Sequence, residues 1–461
     1  MSFPRYPAYK PSGVEWLGDV PEHWEVGPIK RLIQKVESGT SVNASDEPAE
    51  GGKLGVLKTS CVYAGTFDPD ENKTVVDEDI GRVSCPLKAG TLIVSRMNTP
   101  ELIGAAGLVT QTRDNLYLPD RLWQVSFSNA DPHFVHYWTL TSLYRGHVKA
   151  VCTGTSSSMK NLGQDQFGAF SFAAPPPAEQ TAIAAFLDRE TGKIDALVAE
   201  QRRLMELLKE KRQAVISHAV TRGLNPKAKL KPSGIEWFGE VPQHWSLGFK
   251  LKTLAINRPA AFTNGPFGSD LLTSELQEEG VPVIYIRDLK VGGYCRTSSS
   301  YVTAEKAKEL DKFRVDSGDI LIAKVGDPPG FCCTYPSEEP PGIICQDVIR
   351  MKPNTELIDS DYICFLLNSR PGMESIDSVC IQLTRKRFSL EDLHSLRLPI
   401  PPKEEQFQIA AFLREQAAKF EALTAEAQRA IDLLQERRTA LISAAVTGQI
   451  DVREAALSFS S

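Results

Sequence analysis

The sequence predicts an α+β protein in which two α/β domains are separated by a long antiparallel coiled coil within one chain. Two observations predict this pseudo-twofold tandem repeat: a distinctive motif and a heptad pattern each occur twice. At 461 residues the chain has room for two to four domains, at about 100–200 residues each. The two variable blocks between the repeats are each long enough to bury a core.

The first repeated element is a motif at residues 9–24 that returns at residues 230–245. Both copies contain Ser-Gly-x-Glu-Trp and then Val-Pro-x-His-Trp. A second element, Glu-Gln followed by Ala-Ala-Phe-Leu, begins at Glu179 and again at Glu405. Matches of this length do not arise by chance, so we expect the order motif, variable block and helix to occur twice. The predicted domains are residues 1–174, including the first motif, a helical region at 175–225, residues 226–399, including the second motif, and a helical region with the C-terminal tail at 400–461.

The segment after each proline cluster predicts a long helix, because proline ends the preceding element and is tolerated at a helix start. Within both helices, apolar residues recur at alternating steps of four and three, which is the pattern of a coiled coil. A homodimer would satisfy these stripes, but two copies of one unit in one chain favour antiparallel pairing within the chain. The predicted coiled-coil or partner-interface residues are Ile183, Leu187, Ile194, Leu197, Leu204, Leu208, Val215, Ile409, Leu413, Phe420, Leu423, Leu434 and Leu441.

The variable blocks predict mixed α+β domains. Short apolar runs at 56–57, 92–94, 281–286 and 320–322 fit buried strands, and residues 133–144 and 360–368 fit short helices. The runs at 92–94 and 320–322 each lead to a basic residue and a loop rich in Gly and Pro. The two blocks differ in sequence, so any targets that they recognise should also differ.

Polar segments in these blocks predict contacts with DNA. Arginine suits guanine and asparagine suits adenine, while hydroxyls, amides and basic groups suit phosphates. An ordinary surface turn or a solvated charge run is the alternative interpretation of each segment. The predicted DNA-binding residues are Lys58, Arg96, Asn98, Ser156, Ser157, Ser158, Lys160, Asn161, Arg287, Lys324, Arg385, Lys386 and Arg387.

No catalytic or metal site is predicted. Residues 326–331 are similar to the D/N-P-P-Y motif of amino-methyltransferases, but Gly330 stands where the aromatic residue is needed. No P-loop occurs, and the nine cysteines form no C-x-x-C pair, so we expect small buried hydrophobic residues rather than zinc ligands. The net charge of −6 predicts that the isolated chain binds duplex DNA weakly, because phosphate neutralisation supplies most non-specific affinity.

The repeated motif, the polar run at 154–161, the Pro-Pro-Pro-x-Glu-Gln element and the helix after it resemble a type I restriction-modification specificity subunit. The resemblance covers nearly the whole chain and includes residues 265–269 of the second copy. It implies that residues 1–174 and 226–399 are target recognition domains, each reading one half of an asymmetric bipartite DNA target with a fixed non-specific gap. It also implies that the chain is a non-catalytic subunit.

The resemblance further implies partners. Two methyltransferase subunits would bring S-adenosylmethionine, and restriction subunits, where present, would bring ATP and Mg, so no cofactor is expected in this chain. The assembled complex would be an adenine DNA methyltransferase and an ATP-dependent endonuclease in phage defence.

Two other hypotheses are a self-contained adenine methyltransferase, which cofactor binding by the chain alone would support, and a scaffold with no DNA role. Sequence-dependent protection of DNA would exclude the scaffold. Residues 1–10 lack a signal-peptide pattern and no apolar run reaches the roughly 18 residues of a membrane span, so a cytoplasmic protein is expected.

Overall fold

The structure is a computed structural model that describes residues 3–152, 159–266, 268, 270–290, 292–326, 328–381 and 386–453. The chain forms two compact units. Unit 1 comprises Met1–Gln201 and Arg429–Ser461, and unit 2 comprises Arg202–Gln428. Each unit therefore contains one variable block together with part of each of two long helices.

Unit 1 combines short strands with short helices before the first long helix begins. Its strands are β1 (Tyr9–Pro11), β2 (Asp19–Pro21), β3 (Glu25–Pro28), β4 (Ile33–Ser38), β5 (Gly55–Leu57), β6 (Asn72–Thr74), β7 (Leu92–Ser95), β8 (Met97–Asn98), β9 (Ala106–Leu108), β10 (Leu116–Tyr117), β11 (Leu122–Phe127), β12 (Lys160–Asn161) and β13 (Ser171–Ala174). Its helices are α1 (Pro132–Thr139), α2 (Ser142–Val151), α3 (Gln164–Gly168) and α4 (Pro177–Arg222), of which α4 continues into unit 2.

Unit 2 follows the same plan. Its strands are β14 (Leu230–Pro232), β15 (Glu240–Pro242), β16 (Ser246–Lys250), β17 (Phe262–Asn264), β18 (Val281–Ile284), β19 (Leu289–Lys290), β20 (Gly293–Tyr294), β21 (Tyr301–Val302), β22 (Arg314–Val315), β23 (Ile320–Ala323), β24 (Val325–Gly326), β25 (Cys332–Thr334), β26 (Gly342–Ile344), β27 (Val348–Met351), β28 (Lys386–Arg387) and β29 (Arg397–Ile400). Its helices are α5 (Ala304–Glu309), α6 (Ser360–Asn368), α7 (Arg370–Asp377), α8 (Leu390–Ser395) and α9 (Lys403–Val446), of which α9 ends in unit 1.

A four-stranded antiparallel sheet forms the centre of each unit. The strand order is β4-β11-β7-β9 in unit 1 and β17-β27-β23-β25 in unit 2. Successive strand residues point to opposite faces. In β7, Leu92 and Val94 therefore join one hydrophobic cluster and Ile93 joins another. In β23, Ile320 and Leu321 divide between two clusters in the same way. The predicted α+β class is confirmed, with each sheet between two cores.

One position on the neighbouring strand differs in charge between the units. Gln124 of β11 pairs with Ile93, and Arg350 of β27 pairs with Leu321, so both occupy the same place in their sheets. Arg350 is only 2% exposed, and its guanidinium donates hydrogen bonds to the carbonyls of Ala260, Lys312 and Arg314. Burial lowers the pKa of Arg350. Its two terminal nitrogens thus bond to backbone acceptors, whereas its Nε has no partner among the described residues.

The helix predicted at residues 133–144 is in fact two helices. α1 ends at Thr139 and α2 begins at Ser142, with Thr141 between them as the N-cap of α2. Its side chain accepts a hydrogen bond from the backbone N–H of Tyr144. Threonine favours such caps because its oxygen satisfies an N–H that the first helical turn leaves unpaired.

The two long helices run antiparallel, as predicted. In unit 1, Arg438 Nε donates to Asp195 Oδ1 at 3.0 Å, and Ile183 shares a cluster with Val446. In unit 2, the ion pair Arg212–Glu421 measures 3.6 Å, and the residues near 216–220 share a cluster with those near 409–413. In both units a later position on α4 meets an earlier position on α9, which defines antiparallel pairing within one chain.

The inward stripe of α4 consists of two columns of positions, each of which repeats every seven residues. One column is as predicted, and the other is shifted by one residue. Buried or half-buried positions recur along this stripe at alternating steps of four and three, at 187, 191, 194, 198, 201, 205, 208, 212, 215 and 219. The predicted positions at 197 and 204, and 423 on α9, are wrong for the intrachain interface, because Leu197, Leu204 and Leu423 are 52%, 42% and 48% exposed. The adjacent residues Val198, Met205 and Thr424 point inward instead. Of the remaining predicted residues, Ile183, Leu187, Ile194, Ile409, Leu413 and Phe420 are buried and Leu208, Val215, Leu434 and Leu441 are half-buried.

The repeated motif attaches each domain to the start of a long helix. Glu179 of α4 is buried and accepts hydrogen bonds from Tyr6 (2.6 Å) and from Trp24 Nε1 (3.0 Å), while His23 Nε2 lies 2.7 Å from its second oxygen. We call this group the Glu179 cluster. In unit 2, His244 lies 2.7 Å from Glu405.

The glutamine after each of these glutamates also has a structural role. Gln180 accepts from the backbone N–H of Asp131, and Gln406 accepts from that of Asp359. Both therefore connect the start of a long helix to its unit. Among the residues that the structure describes, no helix has the length and apolar character needed to cross a membrane.

Candidate nucleic-acid interface

Two of the predicted DNA-contacting segments of unit 1 meet in a two-stranded antiparallel ribbon. β7 ends at Ser95, and β8 follows Arg96 directly. β8 pairs with β12, with Lys160 opposite Asn98 and Asn161 opposite Met97. The backbone N–H of Leu162 donates to the carbonyl of Arg96 at 2.9 Å and extends the pairing. The ribbon thus brings together Arg96, Asn98, Lys160 and Asn161.

Unit 2 contains the same arrangement with different residues. Lys324 follows β23, and β24 pairs with β28, with Val325 opposite Arg387 and Gly326 opposite Lys386. A further bridge joins Ile381 to Arg387. We call the β8–β12 and β24–β28 pairs the recognition ribbons. Each one lies at the end of a buried strand of its central sheet.

Several polar groups on the ribbons have no partner within the described part of the chain. In unit 1, Arg96 Nε and Asn161 Oδ1 are buried atoms without a hydrogen bond. In unit 2, Lys324 and Arg387 make no ion pair in the described ranges, and Arg387 is exposed. A buried polar atom without a partner is unfavourable by about 1–3 kcal/mol, so these groups are suited to bond with a molecule that binds at the ribbon.

Other predicted residues already have protein partners. Lys386 Nζ donates to Asp377 Oδ1 at 2.7 Å, and half-buried Lys160 also has an interaction within the protein. Asn98 is 8% exposed, and its Nδ2 donates to Tyr63 and Ser95 while its Oδ1 accepts from the N–H of Thr99. The expectation that Asn98 itself reads adenine does not fit this arrangement, because its amide is engaged inside the protein.

Lys58 lies outside the ribbons, at the end of β5. It follows β5 and precedes the 3-10 turn Thr59–Val62, and its Nζ is 3.9 Å from Glu71 Oε2. The pair is partly exposed, so this contact contributes little. The ammonium group is therefore weakly held.

Arg287 occupies the corresponding place after β18 in unit 2. It is exposed, its Nε donates to Ser298 Oγ at 2.9 Å, and its guanidinium lies 4.9 Å from the centre of the Tyr285 ring. Ser298 is in turn held by the fully buried carboxylate of Asp288. Burial favours protonation of Asp288, but hydrogen bonds from the N–H groups of Tyr285 and Thr297 prevail and lower its pKa. A buried anion therefore fixes the orientation of an exposed arginine.

Four predicted residues, Ser156, Ser157, Ser158 and Arg385, lie outside the described residues. Within the described ranges, no group of three or more His, Cys, Asp or Glu side chains is placed to hold a metal ion. The nine cysteines are unpaired, and Cys61, Cys332, Cys333, Cys345 and Cys364 are buried. Desolvation raises the pKa of Cys345 to about 11, so its thiol is protonated at neutral pH.

Sequence reasoning missed two features of the site. The first is the ribbon itself, because its two segments are distant in sequence and only the folded chain brings them together. The second is Tyr63, which bonds to Asn98 and lies in no repeated or basic segment. No pattern in the sequence singles out this tyrosine.

Comparisons with known proteins define the class of this protein. The family model of the type I restriction modification DNA specificity domain matches residues 21–204 and 271–431. These two segments cover most of the chain, and the chain belongs to this family of type I specificity subunits.

Individual relatives are distant in sequence. The chain is 24% identical to the EcoKI specificity subunit of Escherichia coli over 69% of this chain and 65% of that protein. It is 22% identical to the putative MjaX specificity subunit of Methanocaldococcus jannaschii over 95% and 96% of the two chains.

Solved structures share the fold. A chain from a structure described as the basis of complex assembly and conformational transition of the type I R-M system has a TM-score of 0.70 at 15% identity, covering 93% of this chain and 98% of that chain. The HsdS subunit of Thermoanaerobacter tengcongensis has a TM-score of 0.53 at 16% identity, with the same coverage.

Proposed function

We propose that this chain reads an asymmetric, two-part DNA sequence with a fixed non-specific gap and holds the catalytic subunits of a type I restriction-modification complex. The observation that carries this proposal is the recognition ribbon, which occurs once in each unit with different side chains. Family membership supports a DNA target, and the ribbons supply a surface for it in each half of the chain.

Each ribbon offers chemistry suited to DNA. Unit 1 presents Arg96 and Asn161 with polar atoms that need partners, and unit 2 presents the cations Lys324 and Arg387. A two-stranded β-ribbon fits the major groove, where each base pair has a distinct pattern of donors and acceptors. Because the two ribbons differ in side chains, we expect the two half-sites to differ in sequence.

The antiparallel helix pair would set the gap between the half-sites. α4 has 46 residues and α9 has 44, and in both units they pack through apolar columns. At about 1.5 Å per residue such helices are long enough to span more than one turn of duplex, about 34 Å. Helices braced by side-by-side packing resist bending, so the gap should have one length.

Catalysis would come from the partners. Two methyltransferase subunits would bind S-adenosylmethionine and methylate adenine, and restriction subunits, where present, would use ATP and Mg. The exposed leucines of the two helices suit a protein partner, because exposed apolar side chains gain from burial. These residues are Leu197, Leu204, Leu207, Leu423 and Leu433, which are 42–65% exposed.

The test is to co-express the chain with its methyltransferase subunit and to map methylated adenines by sequencing. The expected result is one motif with two specific parts and a gap of constant length. A contiguous motif, or a gap that varies between sites, would contradict the proposal. Catalytically inactive methyltransferase is the matched control, since it should assemble with the chain but leave DNA unmodified.

A further inference from the structure

A partly exposed tyrosine is bonded directly to the recognition ribbon of unit 1. Tyr63 follows the turn Thr59–Val62, and its side chain is 37% exposed. Asn98 Nδ2 donates to the Tyr63 hydroxyl at 2.8 Å, and Thr59 Oγ1 lies 2.8 Å from the same oxygen. Because Asn98 belongs to β8, these bonds fix the phenol at the ribbon.

Asn98, which bonds to Tyr63, is itself held by further hydrogen bonds. Asn98 also donates to Ser95 Oγ at 3.1 Å, and its carbonyl oxygen accepts from the N–H of Thr99 at 2.9 Å. The three bonds hold the amide in one orientation, since they use both kinds of group that it offers. Asn98 therefore serves as a fixed donor to the phenol.

The backbone that carries Tyr63 is also held on its other side. Gly65 has φ +73°, and a Cβ added there would lie 2.8 Å from the Leu140 side chain. His136 Nε2 is 2.7 Å from the carbonyl of Gly65. The turn is thus packed against α1, so Tyr63 is displayed by a well-supported segment.

The hydrogen-bond roles leave Tyr63 able to interact with DNA. Asn98 Nδ2 can only donate, so the phenol oxygen accepts from it. Thr59 can donate or accept, and when Thr59 donates, the phenol proton is available to an acceptor on a base. The exposed ring can also pack against a base or a thymine methyl group. Little entropy is lost on binding, because tyrosine has two side-chain torsions and its hydroxyl is already held.

We propose that Tyr63 is a specificity-determining residue for the half-site read by unit 1, and that Asn98 is a positioning residue that acts through it. This inference rests on the proposed function, since it assigns a reader to one of the two half-sites. It also gives a role to the buried amide of Asn98, whose bonds all lie within the protein.

The experiment compares methylation by complexes that contain the wild-type chain, Tyr63→Phe or Tyr63→Ala, on a library that varies every position of both half-sites. Both variants should relax the preference at one or two adjacent positions of one half-site, by roughly 5- to 100-fold, the usual effect of one mismatched base pair. The other half-site is the internal control and should be read unchanged. Tyr9→Phe is a matched control, because it removes tyrosine hydrogen bonds, to the carbonyl of Gly448 and from the backbone N–H of Tyr6, that do not involve the ribbon.

Asn98→Ala tests the positioning role. It should relax the same position, and adding it to Tyr63→Phe should produce no further relaxation, since Asn98 acts through the phenol. A merely structural Asn98 would instead relax further positions, or slow methylation of every sequence, when Asn98→Ala is added to Tyr63→Phe, and either result would overturn its assignment.

The possible failures are distinguishable. A wild-type complex that methylates no two-part sequence would end the proposed function and this inference together. If the wild-type complex has a two-part motif and the Tyr63 variants show the same base preference as the wild type at every position, only the inference about Tyr63 fails. An equal loss on all targets would also overturn it, because it would indicate a phosphate contact.

Discussion

Lengthening both long helices by one heptad tests whether the helix pair sets the gap. The perturbation is an insertion of seven residues after Gln201 in α4 and of seven after Gln428 in α9, where the two units divide. Seven residues preserve both inward columns of each helix, because those columns repeat every seven residues. Each helix becomes longer by about 10.5 Å at about 1.5 Å per residue.

The expected change in the DNA target follows from this length. Base pairs are spaced by about 3.4 Å, so the gap should increase by about three base pairs. Three added base pairs turn the duplex by about 100° at about 10.5 base pairs per turn, whereas the inserted heptad turns each helix by only about −20°, so we expect slower methylation at the lengthened site. Methylation mapping of the assembled complex measures the gap, and both half-site sequences should be unchanged.

The control is the same insertion in α4 alone. It displaces one helix against the other by a whole heptad, so the contacts Asp195–Arg438 and Arg212–Glu421 can no longer both form. We expect a less stable protein and loss of specific methylation. If the double insertion leaves half-sites and gap unchanged, the helix pair does not set the spacing.

Three further predictions test the supports of the two units. Arg350→Met should lower the free energy of unfolding by about 1–3 kcal/mol, because three backbone carbonyls lose a charged donor, and urea unfolding measures this; no measurable loss would contradict it. Glu179→Gln should lower the free energy of unfolding by about 1–2 kcal/mol more than Glu405→Gln does, since Glu179 accepts from three side chains and Glu405 contacts His244. Equal losses of stability would refute this comparison. Asp288→Asn should weaken discrimination only in the half-site read by unit 2, because Asn cannot accept all the hydrogen bonds that orient Arg287 through Ser298; methylation mapping should show the other half-site intact.

Much of the architecture could be predicted because it is local or repeated. The strands at 92–94 and 320–322 are short apolar runs, and the structure has β7 and β23 there. The antiparallel helix pair followed from a heptad pattern that occurs twice in one chain. Such patterns of apolar residues indicate which side chains are buried, and this burial stabilises sheets and helix pairs.

The inward columns of the helices were harder to predict because neighbouring residues are both apolar. Leu197 stands beside Val198, and Leu204 stands beside Met205, so either member of each pair fits alternating steps of four and three. The rotation of the helix against its partner decides which one is buried, and this rotation depends on all contacts along the helix. The sequence therefore predicted one of the two columns correctly.

The recognition ribbon could not be predicted as a pair for a different reason. Asn98 and Lys160 are paired through their backbones, and such pairing does not depend on which side chains the residues have. Whether a polar side chain is free or engaged also depends on neighbours distant in sequence, as Tyr63 and Asn98 show. Residue type alone made Asn98 a candidate reader, whereas its contacts make it a support.

The separation of supports from readers explains how one fold can accept different DNA targets. Arg387 is exposed and outside the cores, so replacing it should change stability by no more than about 0.5 kcal/mol. Glu179 and Arg350 are buried and bonded several times, so their replacement destabilises a whole unit. Substitutions can therefore accumulate on the ribbons while the sheets, the Glu179 cluster and the helix pair stay intact. Asn98 lies between these two classes, because it is buried like a support and yet determines what an exposed side chain presents to DNA.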